Sequence, residues 1–461
     1  MVFSSAVFVL LFLPTLLGVY YLIPARRRGW RNVILLVFSL GFYAYGEPKF
    51  VWVMLAAITV NWALGLLLER SVHHRKMWLV TAIAADVGLL AIFKYVSFLS
   101  ENLARISANK DLLVKIALPI GISFFTFQLM SYIFDVYYKK SSAQKNPLNV
   151  ALYIALFPQL IAGPIVRYQQ VADEITGRRE TFDDVTIGMQ RFIYGLGKKV
   201  LIANYMAQIA DNVFDYAENP CVMTAWLGVI AYTLQIYFDF SGYSDMAIGL
   251  GRMFGFHFSE NFRYPYIAKS VTEFWRRWHI SLSTWFRDYV YIPLGGNRVA
   301  KPRWVLNLLT VWLLTGIWHG ANWTFVLWGL LYFVLLLLEK CIPILSKAIV
   351  VSRIYTLTAI MLAWVFFRSP DIASAGRYIG RMFRSGGTEV FDGGFFTYWQ
   401  GTYVLVILAI VGATPLVSKI FAWLRAKRMV IVEQIWLLAV FGVSLVEIVS
   451  STYNPFIYFN F

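Results

Sequence analysis

The fold is decided by residues 303–338, which read RWVLNLLTVWLLTGIWHGANWTFVLWGLLYFVLLLL. Two apolar runs, 304–321 and 323–338, follow each other here with Asn322 between them. An apolar run of about 20 residues crosses the hydrocarbon core of a bilayer as an α-helix. The stretch therefore predicts two membrane-crossing helices, with the polar side chains of His319 and Asn322 near the point where they meet.

The composition supports the same interpretation for the whole chain of 461 residues. Hydrophobic residues make up 59% of it and charged residues only 14%, whereas soluble domains carry about 25% charged residues. Because the surplus of apolar side chains must face lipid, we expect an all-α, polytopic integral membrane protein. This excludes a soluble enzyme, a disordered chain and a disulfide-stapled module. The two cysteines, Cys221 and Cys341, are predicted to be buried small residues, and no metal site is expected.

Other apolar runs extend the pattern, and we expect about eleven to thirteen transmembrane or re-entrant helices. The run 112–137 contains Pro119 and Gly121 and should be broken there. No internal repeat or linker is found, so residues 1–461 are predicted to form a single membrane domain. Within it, 257–303 lacks a spanning run and should be an interfacial or re-entrant segment on the cytoplasmic side, and 183–215 should be an amphipathic helix. The predicted spans are 6–23, 32–46, 50–68, 77–93, 112–137, 148–166, 222–238, 304–321, 323–338, 354–367, 402–421 and 431–450.

The net charge of +16 is explained by basic residues in the short gaps between apolar runs. Lys and Arg concentrate in the cytoplasmic loops of membrane proteins. The group from Arg26 to Arg31 follows the first apolar segment, which predicts a retained first helix with the N-terminus outside. We expect a membrane-lipid environment and no nucleic-acid partner.

The polar and aromatic run 271–289 is the first candidate site, because ionisable groups inside a membrane protein are costly. Wound as one helix, it places an aromatic stripe on one side, Arg276 and Arg287 on another, and His279 between them. Glu273 precedes Arg277 by four residues, which favours an ion pair. The alternative is an interfacial anchor of Trp, Tyr and snorkelling Arg. His279 favours a site, since an anchor does not need it. The stripe consists of Trp275, Trp278, Leu282, Trp285, Phe286 and Tyr289.

His319, in Trp318-His319-Gly320-Ala321-Asn322, is the second candidate. If Arg303 marks the cytoplasmic edge, His319 lies about 24 Å further along a helix, deep in the bilayer. Burial keeps an imidazole neutral, the form that a general base requires. Spacing places Trp312, Thr315, His319, Asn322 and Trp323 on one face.

The remaining polar motifs are predicted to have supporting roles. Asp239 and Asp245, at the end of a span, could orient His279 or His319, or neutralise Arg276 or Arg277. The turn Pro293–Arg298, with Asn297, lets backbone approach a ligand closely. His73, His74 and His257 are expected at the surface.

Taken together, these motifs resemble the membrane-bound O-acyltransferase (MBOAT) family, and within it the bacterial branch that O-acetylates alginate and peptidoglycan. The teichoic acid D-alanyltransferase branch is similar around residues 278–283. The resemblance covers essentially the whole chain. Its segments are 1–5 (MVFSS), 118–124 (LPIGISF), 161–165 (IAGPI), 237–245 (YFDFSGYSD), 273–298, 318–322 (WHGAN) and 456–461 (FIYFNF).

The resemblance implies helices around a central thinned funnel in the bacterial cytoplasmic (inner) membrane. It implies that His319 is the principal catalytic histidine and His279 the second. It also implies a cytoplasmic thioester donor, acetyl-CoA or an acyl carrier, with no tightly bound cofactor. The acceptor would be an extracytoplasmic polysaccharide, reached directly or through a partner transferase. Supporting roles fall to Asp239, Asp245, Trp318, Asn322 and Glu273, and donor binding to Arg276, Arg277, Arg287, Asn297 and Arg298.

Several alternatives stay open at this point. The acyl group could be D-alanyl or another group, and the polymer could be alginate, cellulose, peptidoglycan or a secondary cell-wall glycan. A transporter or flippase of acyl donor or polysaccharide would predict inverted repeats, which the sequence lacks. A scaffold for polysaccharide export would leave the two histidines without a task.

Overall fold

The structure, a computed structural model, describes residues 1–217, 219–342, 349–384 and 387–457. These residues form helices and no strand. They divide into two compact units, and α9 and α11 each contribute residues to both. The predicted all-α class is confirmed.

Unit 1 comprises residues 1–192 and 244–259. A π-helical turn, Val7–Phe12, precedes its first helix, and a 3₁₀ turn, Lys110–Leu112, follows the fourth. The helices that begin in it are α1 (Leu13–Leu22), α2 (Arg28–Gly46), α3 (Phe50–Arg70), α4 (Arg75–Ser107), α5 (Ile122–Tyr137), α6 (Pro147–Ala155), α7 (Phe157–Leu160), α8 (Tyr168–Gly177) and α9 (Phe182–Gly197).

Helix α5 lies at the centre of unit 1, since almost every one of its residues is buried. A helix that is apolar on all sides is buried inside a protein. It begins only at Ile122 because Gly121 takes a left-handed conformation (φ 78°), where an added Cβ would lie 2.8 Å from the carbonyl oxygen of Leu160. The predicted break in 112–137 is confirmed.

Three arginines surround one carboxylate in unit 1. Arg31 lies 2.9 Å from Glu180 Oε2, Arg28 donates to both carboxylate oxygens, and Arg178 Nε lies 3.7 Å from Oε1. Arg178 is buried and also donates to the carbonyl oxygen of Phe254 and to Asn32 Oδ1. The cluster therefore ties α2, the turn before α9 and the end of α11 together.

Unit 2 comprises residues 193–243 and 260–461. π-helical turns occupy Lys198–Ala203, Asn212–Tyr216 and Arg287–Tyr291, and a 3₁₀ turn occupies Pro265–Ile267. Its helices are α10 (Asn204–Asp211), α11 (Val222–Met253), α12 (Val271–Arg277), α13 (Ile280–Phe286), α14 (Lys301–His319), α15 (Trp323–Cys341), α16 (Ile349–Arg368), α17 (Ile372–Met382), α18 (Gly393–Gly412), α19 (Leu416–Ala426) and α20 (Val430–Ser450).

Helices α14 and α15 pack closely through two glycines. A Cβ on Gly316 would lie 2.5 Å from the carbonyl oxygen of Phe325, and one on Gly329 would lie 2.5 Å from that of Trp312. Small residues at a helix crossing let membrane helices approach backbone to backbone. This contact brings the C-terminal end of α14, with His319, against the aromatic face of α15.

The last described residues of the chain are anchored in unit 2. Lys199 Nζ lies 2.7 Å from Asp239 Oδ1 and donates to the carbonyl oxygen of Pro455. Asp239 Oδ2 accepts from Ile457 N–H (2.9 Å), and the ring of Phe456 stacks on Tyr243 at 4.9 Å. Residues 458–461 of the FIYFNF motif lie outside the described residues.

Six helices within the described ranges are long and apolar enough to cross a membrane: α3, α4, α15, α16, α18 and α20. This supports a multi-pass membrane protein, while eleven to thirteen helices and the funnel stay predictions.

Some predicted boundaries were wrong. The span 402–421 is two helices, which end and begin around Pro415, and 148–166 ends as a helix at Leu160. Cys221 is buried, but Cys341 is exposed at the end of α15.

Candidate active site

His279 lies in the short non-helical link between α12, which ends at Arg277, and α13, which begins at Ile280. The sequence predicted one continuous helix here, and that prediction was wrong: Trp278 is extended, and His279 has a left-handed backbone (φ 43°). The side chain of His279 is completely buried. Non-glycine residues in this conformation are strained and cluster at functional sites.

Asn261 holds the two sides of this break together. Its carbonyl oxygen accepts from Ile280 N–H (3.0 Å), and its side-chain Oδ1 accepts from Ser281 N–H (3.2 Å) and Ser281 Oγ (2.9 Å). The same Oδ1 lies 3.2 Å from His279 Nδ1. Asn261 thus satisfies the first N–H groups of α13, which otherwise lack partners at a helix start.

The beginning of α12 is fixed by a carboxylate from α15. Glu339, buried, accepts from Val271 N–H through Oε1, and from Thr272 N–H (3.1 Å) and Thr272 Oγ1 (2.8 Å) through Oε2. Ser270 Oγ also accepts from Glu273 N–H. A negative charge at a helix N-terminus is stabilising, so α15 determines where the helix leading to His279 begins.

His319 is the last residue of α14 and is almost fully buried. Aromatic rings enclose its imidazole: Trp318 at 4.9 Å, Trp328 at 4.9 Å and Phe367 at 5.2 Å between ring centroids. Trp328 is on α15 and Phe367 on α16. The ring therefore lies in an apolar environment that favours its neutral form.

The two histidines share one aromatic neighbour, Trp318. Its ring lies 6.1 Å from that of His279 and 4.9 Å from that of His319. The two imidazole centroids are therefore within about 11 Å of each other, the sum of those separations. His279 also packs edge-on against Phe240 of α11, with 4.6 Å between the ring centroids. Unit 2 thus brings together both histidines that the sequence singled out.

The predicted roles of the two aspartates change with the structure. Asp239 pairs with Lys199 and holds the chain terminus, and Asp245 pairs with Arg191 at 2.9 Å within unit 1. The ion pairs proposed with Arg276 or Arg277 are therefore replaced by pairs with Lys199 and Arg191, and a role of either aspartate in orienting a histidine stays a prediction.

The arginines proposed for donor binding fall into two groups. Arg277 pairs with Glu273 (2.8 Å), as predicted, and Arg287 with Asp288 (2.7 Å). Arg276 and Arg298 are exposed and form no ion pair within the described residues, and Asn297 is also exposed. Hydrogen bonds from Lys269 N–H and Arg277, working against partial burial, lower the pKa of Glu273.

The face predicted around His319 is only partly correct. Trp312, Thr315 and His319 are buried on α14, but the helix ends there. Asn322 instead caps α15, accepting from Thr324 N–H, and Trp323 is exposed. All six side chains of the aromatic stripe are buried. His73, His74 and His257 are exposed, as predicted.

Four residues at this site were not predicted: Asn261, Glu339, Trp328 and Phe367. Glu339 carries a signal in the sequence, since it is a lone carboxylate at the end of an apolar run. The other three act through contacts between distant segments, and no local pattern marks them.

Comparison with known proteins fits this arrangement. Residues 50–367 match the MBOAT model, which describes the membrane-bound O-acyltransferase family. The chain belongs to the membrane-bound O-acyltransferase family. It is therefore a membrane acyltransferase, and both candidate histidines lie within the matched region.

Its relatives include bacterial O-acetyltransferases. The chain is 44% identical to the probable alginate O-acetylase AlgI of Pseudomonas syringae pv. tomato, over 84% of this chain and 76% of that protein. It is 34% identical to the peptidoglycan O-acetyltransferase of Helicobacter pylori, over 81% and 78%. The teichoic acid D-alanyltransferase of Bacillus subtilis is 32% identical over 47% of this chain and 58% of its own length.

Proposed function

We propose that this protein transfers an acetyl group from cytoplasmic acetyl-CoA for the O-acetylation of a polysaccharide outside the bacterial inner membrane. The observation that carries the proposal is the pair of buried imidazoles that share Trp318 in a chain of this family. The alginate and peptidoglycan O-acetyltransferase names of its relatives favour acetyl as the group and a polysaccharide as the acceptor.

In the proposed reaction, His319 takes the proton from the acceptor hydroxyl. The hydroxyl oxygen attacks the thioester carbonyl carbon, a C–O bond forms and the C–S bond breaks, and the proton held by His319 passes to the departing thiolate. His279 assists this last step. A positioned general base contributes about 10²–10⁴-fold to the rate.

In the proposed reaction the donor and the acceptor lie on opposite sides of the membrane. CoA is highly charged and stays in the cytoplasm, whereas the polysaccharide lies outside, so only the acetyl group needs to pass. Because aromatic rings enclose both imidazoles, donor and acceptor must displace some of those rings on binding. An extracytoplasmic transferase partner would complete the transfer where the polymer itself cannot enter.

Arg276 and Arg298 are the residues best placed to bind the donor phosphates, with Asn297 beside them in sequence. Both guanidinium groups are exposed and free of ion pairs in the described part of the chain. Arg277 and Arg287 already have carboxylate partners, which they would have to exchange.

The test is O-acetyl content of the exported polysaccharide in cells that carry His319→Ala or His279→Ala. We expect loss of acetylation at unchanged membrane abundance. His73→Ala and His257→Ala are matched controls at exposed positions and should keep normal acetylation. Full acetylation with either buried histidine replaced would refute the assigned roles.

A transporter would behave differently. Purified protein in detergent, supplied with acetyl-CoA and short oligosaccharides as hydroxyl acceptors, should release CoA thiol in a reaction that needs His319. A protein that only carries the donor would leave the thioester intact and move it into sealed vesicles. Supplying a D-alanyl thioester in parallel shows which acyl group is preferred.

A further inference from the structure

The two ring nitrogens of the buried His279 side chain have different environments. Nδ1 lies 3.2 Å from Asn261 Oδ1 and 3.4 Å from Ser281 Oγ. Nε2 is buried and has no hydrogen-bond partner within the described part of the chain. A neutral imidazole carries its proton on one nitrogen only, so the contacts of Nδ1 decide the state of Nε2.

The orientation of the Asn261 amide is fixed by the backbone. The oxygen and nitrogen of a side-chain amide are distinguished by their partners, and Oδ1 receives a bond from Ser281 N–H (3.2 Å), which can only donate. Oδ1 is therefore the atom that faces His279 Nδ1. An amide oxygen only accepts, so Nδ1 must supply the proton for this contact.

Ser281 gives a second, consistent constraint. Its hydroxyl hydrogen is donated to Asn261 Oδ1 at 2.9 Å. The same hydroxyl oxygen lies 3.4 Å from Nδ1 and can only accept a hydrogen bond from it. Both neighbours of Nδ1 are acceptors.

We propose that Asn261 is a positioning residue that holds His279 in its Nδ1–H tautomer and leaves Nε2 as the proton-exchanging atom of the site. This deepens the proposed function and rests on it. Nε2 accepts the proton that His319 has taken from the acceptor hydroxyl and passes it to the departing sulfur, and the Nδ1–H···Oδ1 bond keeps the ring oriented. For histidines that ligate a metal, partners of the second ring nitrogen change metal affinity or activity by about 10–100-fold, and we expect an effect of that order here.

Several ionisable groups lie on the elements that contact this ring. On the segment that carries Asn261, Arg263 is exposed and Glu260, the preceding residue, is half-buried. Asp239 follows Tyr237 and Phe238 on α11 and is neutralised by Lys199. Glu273 and Arg277 of α12 neutralise each other, Arg276 is exposed, and His319 lies beyond Trp318. A carboxylate placed at position 261 would therefore be the new charge facing His279.

The direct test is ¹⁵N NMR of histidine-labelled protein in lipid. The chain has only five histidines, and the His279 signals are those lost in His279→Asn. We expect a protonated Nδ1 and an unprotonated Nε2 in the wild type, and the same in Asn261→Asp, which keeps an acceptor. Asn261→Ala should give a mixture of tautomers. A protonated Nε2 in the wild type, or no change in Asn261→Ala, would overturn the proposal.

Activity gives a second readout, CoA thiol release from acetyl-CoA by purified protein with short oligosaccharides as acceptors. Asn261→Ala should lower kcat by about 10–100-fold with little change in KM. Asn261→Asp should recover most of kcat and move the acid limb of the pH–rate profile to higher pH, since a carboxylate stabilises imidazolium. An unshifted profile in Asn261→Asp contradicts the inference. The control is Asn61→Ala, an equally buried asparagine whose partner is Asp86, and its profile should not move.

His279→Ala in the same assay separates the two proposals. If it is fully active, the proposed role of His279 fails. If it is inactive while both Asn261 variants behave like the wild type, only the role of Asn261 fails.

Discussion

Each unit contains a buried polar cluster, and the two clusters differ in how their polar groups are satisfied. In unit 1, Arg28, Arg31 and Arg178 converge on Glu180, so each charge has an opposite charge or several hydrogen bonds. In unit 2, His279 and His319 are surrounded by aromatic rings, and His279 Nε2 has no hydrogen-bond partner in the described chain.

This difference indicates that the cluster in unit 1 stabilises the fold, whereas the cluster in unit 2 takes part in the reaction. A satisfied ionic cluster has no capacity left for a ligand, and its removal leaves uncompensated buried charge. A neutral imidazole costs less to bury and can exchange a proton with a substrate. We therefore expect changes in the first cluster to alter stability and changes in the second to alter activity.

The largest effect on stability should come from Glu180→Gln. Its removal leaves three arginines without their shared carboxylate, and breaking a buried pair costs about 3–5 kcal/mol. The measurement is the free energy of unfolding in detergent. Glu273→Gln, in a half-exposed pair with Arg277, is the control and should cost less than about 1 kcal/mol. Equal effects would break the comparison.

The pH dependence sharpens this prediction. Although burial opposes it, hydrogen bonds from Arg28 and Tyr20 lower the pKa of Glu180 to about 2 from its ordinary 4.5. A depressed pKa contributes stability above the unfolded-state pKa that is lost as the pH falls toward the folded-state pKa. The stability difference between wild type and Glu180→Gln should shrink from pH 4.5 to pH 2. A constant difference would show that the charge of Glu180 is not its source.

A smaller effect, on activity, is expected for Glu339→Gln. The amide keeps one acceptor for the start of α12 but loses the charge, so His279 should be less well positioned. We expect kcat for CoA thiol release to fall about 10-fold, as for other residues that orient a functional group. Thr272→Val removes only the hydroxyl contact and should have a weaker effect. A wild-type kcat in Glu339→Gln would show that this anchor is not needed.

The smallest effect should come from the exposed arginines. Arg276→Gln and Arg298→Gln should each raise KM for acetyl-CoA about 3–10-fold at low salt with kcat unchanged, since screening weakens exposed charge contacts. Lys76→Gln, at an exposed position in unit 1, is the control. If KM responds equally to all three, the arginines act through net charge alone.

Much of this architecture could be predicted from sequence. Apolar runs gave α3, α14, α15 and α20 nearly to their ends, because a bilayer demands long apolar helices. His319 was found because an imidazole deep in an apolar run is costly and needs a reason, and His279 because an interfacial anchor does not need a histidine.

The rest depends on contacts between distant segments. The pattern of 271–289 fits one helix, but Asn261, 18 residues before His279, supplies the hydrogen bonds that make the break between α12 and α13 favourable. The same holds for the aspartates, whose partners Lys199 and Arg191 lie about 40 and 54 residues away. Local periodicity contains no information about such partners.

The most direct test of the central claim is the sidedness of the transfer. The protein is reconstituted in sealed vesicles. Acetyl-CoA labelled in its acetyl group is added outside, and short uronic-acid oligosaccharides with any required partner transferase are enclosed inside. We predict labelled ester inside, CoA thiol outside, and neither product with His319→Ala. Intact labelled acetyl-CoA inside the vesicles, or equal ester formation with His319→Ala, would contradict acyl transfer through the two buried histidines.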